Sequence, residues 1–163
     1  MLNVFSKLEP KKNNIYLLLV GDGEKKKTLI DLVDKLKIRK NVIFTGVQKD
    51  IGKYLDISKI FFFPSIQEGF GNVISEAQYM NIPVCGSNVT SLNESIYEEY
   101  HQYRFDPHNI EEATKSLTKI LKDYKSKKLE QCRIRASDFV KKNFSIEFMA
   151  IQLTDLYFEL KNH

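Results

Sequence analysis

Pro64-Ser65-Ile66-Gln67-Glu68-Gly69-Phe70-Gly71-Asn72-Val73-Ile74-Ser75-Glu76-Ala77-Gln78-Tyr79-Met80-Asn81-Ile82-Pro83-Val84 joins two kinds of local pattern. Before it, Ile60-Phe61-Phe62-Phe63 is a short apolar run that stops at a proline, as a buried strand does where the ladder cannot continue. Within it, Val73, Ile74, Ala77 and Met80 recur at helical spacing. Ser65 to Asn72 therefore lies between the carboxyl end of a strand and the amino end of a helix, where open α/β sheets bind ligands and free amides attract anions and hydroxyls.

Two carboxylates flank that junction. Glu68 precedes the helix and Glu76 stands about one turn inside it, so both are able to face one cavity. Ionised carboxylates suit a ligand rich in hydroxyls, because each oxygen accepts charge-assisted hydrogen bonds. Gly69 and Gly71 allow the backbone to come close to such a ligand. The plainer alternative makes Glu68 a solvated loop acid and Glu76 a surface acid favoured by the helix dipole.

The pattern Pro-Ser-x-x-Glu-Gly-Phe-Gly-x-x-x-x-Glu-Ala, followed by Ile82-Pro83-Val84, resembles the donor-sugar signature of the retaining glycosyltransferases of family 4, which have the GT-B fold. The resemblance continues in register through Leu18 to Glu24, Asn41 to Val47, Asp106-Pro107 with Ile110 and Ala113, then Phe144-Ser145 and Leu156-Tyr157. It covers nearly the whole chain and points to the carboxy-terminal, donor-binding half of such an enzyme.

The order of segments fits. Strands are predicted at 15–20, 42–45, 60–63, 83–86 and 103–105, and helices at 25–38, 51–58, 72–80, 92–98, about 110–124, 126–139 and from Ser145 onward. Ser145 is the expected cap of the last helix, which carries Phe148, Ile151, Leu156 and Leu160. This alternation gives an α/β fold, a Rossmann-like parallel sheet with helices on both faces. Residues 1–163 form a single domain, and no repeat or low-complexity segment interrupts it.

Carried over position by position, the resemblance implies that Glu76 accepts from the ribose hydroxyls of the donor nucleotide. Glu68, with the backbone of Gly69, Phe70, Gly71 and Asn72, holds the transferred sugar and the diphosphate and carries the catalytic assignment. Ser65 lines the pocket wall, and Gly46 and Val47, within Thr45 to Gln48, flank the base. Catalysis rests on orienting the sugar and stabilising the departing diphosphate, without a cofactor or metal. UDP sugars are the favoured donors, and a glycan or lipid-linked acceptor would sit on an amino-terminal domain absent from this sequence.

Three departures from the family pattern stand out. The arginine and lysine that hold the diphosphate near the first strand are missing, because Met1 falls roughly in the helix after that strand; Lys11 and Lys12 belong to the following turn. The chain is therefore read as lacking the first strand and the acceptor domain, with donor binding at best when isolated. Thr90-Ser91 replaces a glycine pair and narrows the approach to the donor. Asn81 replaces glycine at the helix end, at little cost, since asparagine tolerates the left-handed region.

Composition limits the other classes. The net charge of +4 arises from scattered lysines, with clusters at Lys25 to Lys27 and Lys122 to Lys128. These read as solvated helix faces, or else as attraction to an anionic membrane surface, and no nucleic-acid motif accompanies them. No apolar run approaches the roughly 20 residues of a membrane span. A cytoplasmic location, with possible peripheral contact at the inner face of the membrane, is expected. Cys85 and Cys132 suit a reducing compartment, with Cys85 in the core. His101 and His108 lack ligand spacing and are read as surface or turn residues. A dinucleotide-dependent oxidoreductase is the weaker alternative suggested by Gly21-Asp22-Gly23, since Lys26 occupies the place of the third glycine. A non-catalytic nucleotide-sugar-binding or scaffold domain that assembles with another chain is the other alternative.

Overall fold

A computed structural model describes residues 1–161. Two short helices, α1 (Leu2–Lys7) and α2 (Pro10–Asn13), lead into β1 (Leu17–Val20), α3 (Lys26–Lys35), β2 (Val42–Gly46), α4 (Gly52–Asp56) and β3 (Phe61–Phe63). Then follow α5 (Asn72–Tyr79), β4 (Val84–Gly86), α6 (Ile110–Lys125), α7 (Glu130–Phe144) and α8 (Ile146–Lys161).

The α/β architecture with parallel strands is as expected. Leu17 to Leu19 pair in parallel with Val42 to Phe44, and Phe61 to Phe63 pair in parallel with Val84 to Gly86. Parallel neighbours need a crossover, which α3 and α5 supply. Helices cover the strands on both faces: α5 backed by α7, and α6 backed by α1, each pack on β4. The core runs through all these layers, from Leu2 and Phe5 on α1 to Ile74 on α5, Val84 on β4 and Ile120 on α6.

Several local expectations are corrected. The strands form two separate pairs, β1–β2 and β3–β4, rather than one continuous sheet. The strand expected at 103–105 is a single parallel bridge between Ser87 and Phe105, because the preceding residues Glu98–Tyr103 coil into 3-10 turns. The helix expected at 92–98 is absent. A short 3-10 turn at Thr90–Leu92 stands there instead, and the buried Ser95 and Ile96 are used for packing. The basic helix begins at Glu130 rather than Ser126, since Lys127 is left-handed at φ 62° and breaks the chain from α6. Lys11 and Lys12 lie within α2 rather than in a turn, and Lys12 pairs with Glu9 at 3.0 Å.

The end of α5 is closed from several sides. Asn81 adopts φ 60°, and the amides of Asn81 and Ile82 donate to Gln78 O and Ala77 O, both at 2.9 Å, which is a Schellman closure with asparagine in the glycine position. From α7, Ser137 Oγ donates to Tyr79 O at 2.7 Å and Arg133 Nε donates to Asn81 O at 2.6 Å. Inside the core, Gln78 is 0% exposed. Its Nε2 donates to Ser95 O at 2.6 Å, and its Oε1 accepts from the Tyr97 amide at 2.8 Å. The structure places Cys85 and Cys132 in the interior as free thiols, and burial pushes both up, Cys132 to about 11. At the far end Ser145 Oγ accepts from the Phe148 amide, the cap expected for α8.

Replacing Gln78 with alanine leaves a buried carbonyl and a buried amide without partners. The variant is expected to lose about 3 kcal/mol of stability, measured by urea denaturation. An unchanged midpoint would show that the loop 95–97 is held by other contacts.

Candidate functional site

The loop after β3 turns at Pro64 and delivers the chain to α5 through Gly71, which adopts φ 73° and ψ 55° as the residue preceding the helix. A side chain at Gly71 would be strained by that φ and would place its Cβ 2.9 Å from Leu92 Cδ2 and 3.1 Å from Ile74 Cδ1. Glu68 Cγ lies 3.6 Å from the same point, so the acid loop, the helix start and the loop after β4 meet at Gly71. Gly69 has open space around it and no left-handed φ, so its freedom is of approach rather than of conformation. No side chain caps the start of α5, which leaves its first amides for a ligand.

The expected residues fall into two groups. Glu68 is half-buried, and Gly69, Asn72 and Glu76 are exposed; of the two carboxylates expected to face one cavity, Glu76 lines the one beside α5 and Glu68 does not. Phe70 packs edge-on against Phe144 of α7, with ring centroids 4.9 Å apart, and fixes the loop to the helical layer. Ser65 is half-buried at the start of the same loop, and its hydroxyl donates to Gln67 O at 3.0 Å, closing its own turn. Gly46 and Val47 belong to the other strand pair. Gly46 takes φ 69° at the end of β2 and accepts through its carbonyl from the Gly21 amide at 2.9 Å, while Val47 is 78% exposed. Thr45 and Gln48 brace this loop, since Gln48 Nε2 donates to Thr45 O at 2.6 Å.

Phe70, Asn72, Ser75 and Glu76 form one wall of a cavity of about 1340 Å³ between α4, α5, α7 and α8. The facing wall, from α8, mixes apolar Phe148, Leu153 and Leu156 with polar Gln152, Asp155 and Glu159. Ser75 Oγ is buried on the polar wall without a hydrogen-bond partner.

Other sequence candidates resolve into structural roles. Asp22 accepts from the Gly23 amide at 2.8 Å and pairs with Lys26 at 2.6 Å. The Lys26 contact holds the Asp22 carboxyl below its usual range, and together these bonds occupy the turn a dinucleotide phosphate would need. His101 Nε2 lies 3.0 Å from Ile96 O, and the His108 amide donates to Asp106 Oδ1. Among the described residues no group of three His, Cys, Asp or Glu stands ready to hold a metal, and no helix is long and apolar enough to cross a membrane.

Sequence reasoning passed over Gln78 and Arg104. Gln78 gave a weak signal as a polar residue on the apolar side of α5, whereas nothing in the local pattern marked Arg104.

The fold is that of the GT-B glycosyltransferases. A glycosyltransferase of Rickettsia africae superposes with a TM-score of 0.88 at 27% identity, over 99% of this chain and 44% of that one. The structure of Anabaena HepE in complex with UDP gives 0.85 at 19% identity, over 97% of this chain and 44% of that one. Residues 1–139 match the family model of the glycosyl transferases group 1, and the chain belongs to that family. Among curated relatives, the N-acetyl-alpha-D-glucosaminyl L-malate synthase of Bacillus anthracis is 28% identical over 144 residues, 88% of this chain and 37% of the relative. A glycosyltransferase of Methanocaldococcus jannaschii is 36% identical over 88 residues, 54% of this chain and 22% of the relative. The chain thus spans well under half the length of these relatives.

Gly71→Ala is expected to destabilise by about 1–3 kcal/mol, whereas Gly69→Ala changes stability by less than about 0.5 kcal/mol. Paired denaturant titrations check this. Equal effects would mean that the left-handed cap at position 71 relaxes freely.

Proposed function

We propose that this chain is the carboxy-terminal, donor-binding half of a retaining family 4 glycosyltransferase, which moves a hexose from a nucleotide diphosphate sugar to a glycan or lipid-linked acceptor. The observation that carries the reading is the junction itself: an uncapped helix start, a left-handed Gly71, and Glu68 and Glu76 on either side of it. Glu76 binds the ribose hydroxyls. Glu68 orients the sugar while the amides of Gly69 to Asn72 meet the diphosphate, whose developing charge they stabilise as the bond to the sugar breaks. Gly46 and Val47 flank the base through backbone groups, and Ser65 forms the wall. UDP is the favoured nucleotide, a choice supported by the UDP held in the Anabaena structure of the same fold.

The acceptor side belongs to polypeptide outside this sequence. Two features support that part of the reading. Among the described residues each of the four strands pairs with one other strand only, and Phe61 to Phe63 of β3 are half-buried while β4 is wholly buried, as if a further strand ran between the two pairs. Helix α8 has no buried residue although Ile146, Met149, Leu153, Leu156 and Phe158 are apolar, which suits a surface made to be covered by another domain. We place the site in the cytoplasm, with peripheral contact at the inner face of the membrane where the acceptor is lipid-linked.

Calorimetric titration with UDP, GDP, ADP and their glucose and N-acetylglucosamine conjugates tests the donor assignment. Selective binding of one nucleotide is expected, weakened about tenfold or more in Glu76→Ala, a loss equal to at least one charge-assisted hydrogen bond. Binding of none of them by the folded protein would favour a scaffold domain that has lost its donor.

A further inference from the structure

Arg104 is anchored by its backbone, where its amide donates to His101 O at 3.2 Å and its carbonyl accepts from Ser116 Oγ of α6 at 3.2 Å. Its neighbour Phe105 bridges to Ser87, directly after β4. From this fixed base the guanidinium reaches across the loop that leaves β4. Nη1 donates to Asn93 Oδ1 at 2.6 Å and Nη2 donates to Val89 O at 3.1 Å, so one planar group ties both ends of the segment 89–93. Between those ties, Leu92 is fully buried and its Cδ2 touches the space beside Gly71.

We propose that Arg104 is a positioning residue for the donor site: it clamps the Val89–Asn93 loop so that Leu92 supports the left-handed turn at Gly71 and thereby the Glu68 loop. The assignment of that loop to the donor rests on the function proposed above, while the clamp itself does not. The Val89–Asn93 loop contains no glycine, so its backbone has fewer conformations, and the two ties from Arg104 hold one of them. A guanidinium meets two separate acceptors at once with a rigid fork, which an ammonium on a flexible stem does not reproduce. Among the described residues no carboxylate pairs with Arg104, and its Nε is buried without a partner, so this group gives up solvation to make those two loop contacts.

The test compares the wild-type chain with Arg104→Gln, Arg104→Lys, Asn93→Ala and the Arg104→Gln/Asn93→Ala double variant. Amide hydrogen exchange is followed over 69–75 and 88–96, and affinity is measured with UDP and UDP-glucose. Arg104→Gln is expected to raise exchange in both segments and to weaken UDP binding about tenfold, with Lys failing to rescue and the double variant no weaker than Arg104→Gln alone. Faster exchange confined to 88–96, or a full rescue by Lys, would overturn the clamp. If the wild type binds neither probe yet both segments loosen together in Arg104→Gln, the clamp stands and the donor reading fails. Should Arg104→Gln not fold, Asn93→Ala removes one tie and must still loosen both segments, to a smaller extent; no change at 69–75 would refute the proposal.

Discussion

The side-chain amide of Gln78 is the contact on which the site depends most. It lies in the core, away from water, and satisfies both a carbonyl and an amide of the Ser95 to Tyr97 segment. A buried amide with both ends paired is directional in a way that apolar packing is not, since rotation or sliding of α5 by one residue would break both bonds and leave four polar groups unpaired. With the Schellman closure at Asn81 and the bonds from Ser137 and Arg133, it fixes the carboxyl end of α5 to α7 and to the chain beyond β4.

That asymmetry bears on the proposed donor site. The carboxyl end of α5 has its polar groups satisfied from within the protein, whereas its amino end has no side-chain cap and begins at a glycine. A helix held rigidly at one end and left open at the other presents its first amides and its dipole to whatever anion arrives, without first having to displace an internal partner. The cost is borne at Gly71, where only glycine combines the left-handed φ with contact against Leu92. Rigidity therefore comes from residues behind the helix, and the proposed ligand chemistry from residues in front of it.

Much of this was legible in the sequence. The apolar run ending at Pro64, the helical spacing after Asn72 and the paired glycines located the junction, and the density of the matched pattern identified its class. Asn81 was readable because few residues accept the left-handed helix end. What stayed hidden was tertiary. Nothing local shows that Gln78 turns inward, that Arg104 reaches Val89 and Asn93 eleven or more positions away in the chain, or that 98–103 coils while only Phe105 bridges to Ser87. The break between the two strand pairs was absent from the local pattern, since each strand alone has the composition of a buried one, although the missing first strand read from the family resemblance is in keeping with it.

The cavity beside α5 bears on how a ligand would sit. A nucleotide diphosphate sugar carries charge and hydroxyls along its length, so its contacts must be made by amides, carboxylates and hydroxyls. In the cavity such groups stand on both walls: Asn72, Ser75 and Glu76 on α5, and Gln152, Asp155 and Glu159 on α8, interleaved there with aromatic and aliphatic side chains. Ser75 Oγ, buried without a partner, is a polar group still to be satisfied on the α5 wall. On α8 the polar groups alternate with apolar residues that are exposed on both the cavity side and the outer side of the helix. A polar ligand that filled the whole space would set its hydroxyls against Phe148, Leu153 and Leu156 and would need Gln152, Asp155 or Glu159 to offset the lost solvation. Under the proposed function, Ser75 and Glu76 would meet the donor from inside this space, while Glu68, which does not line it, would meet the donor from the loop before α5.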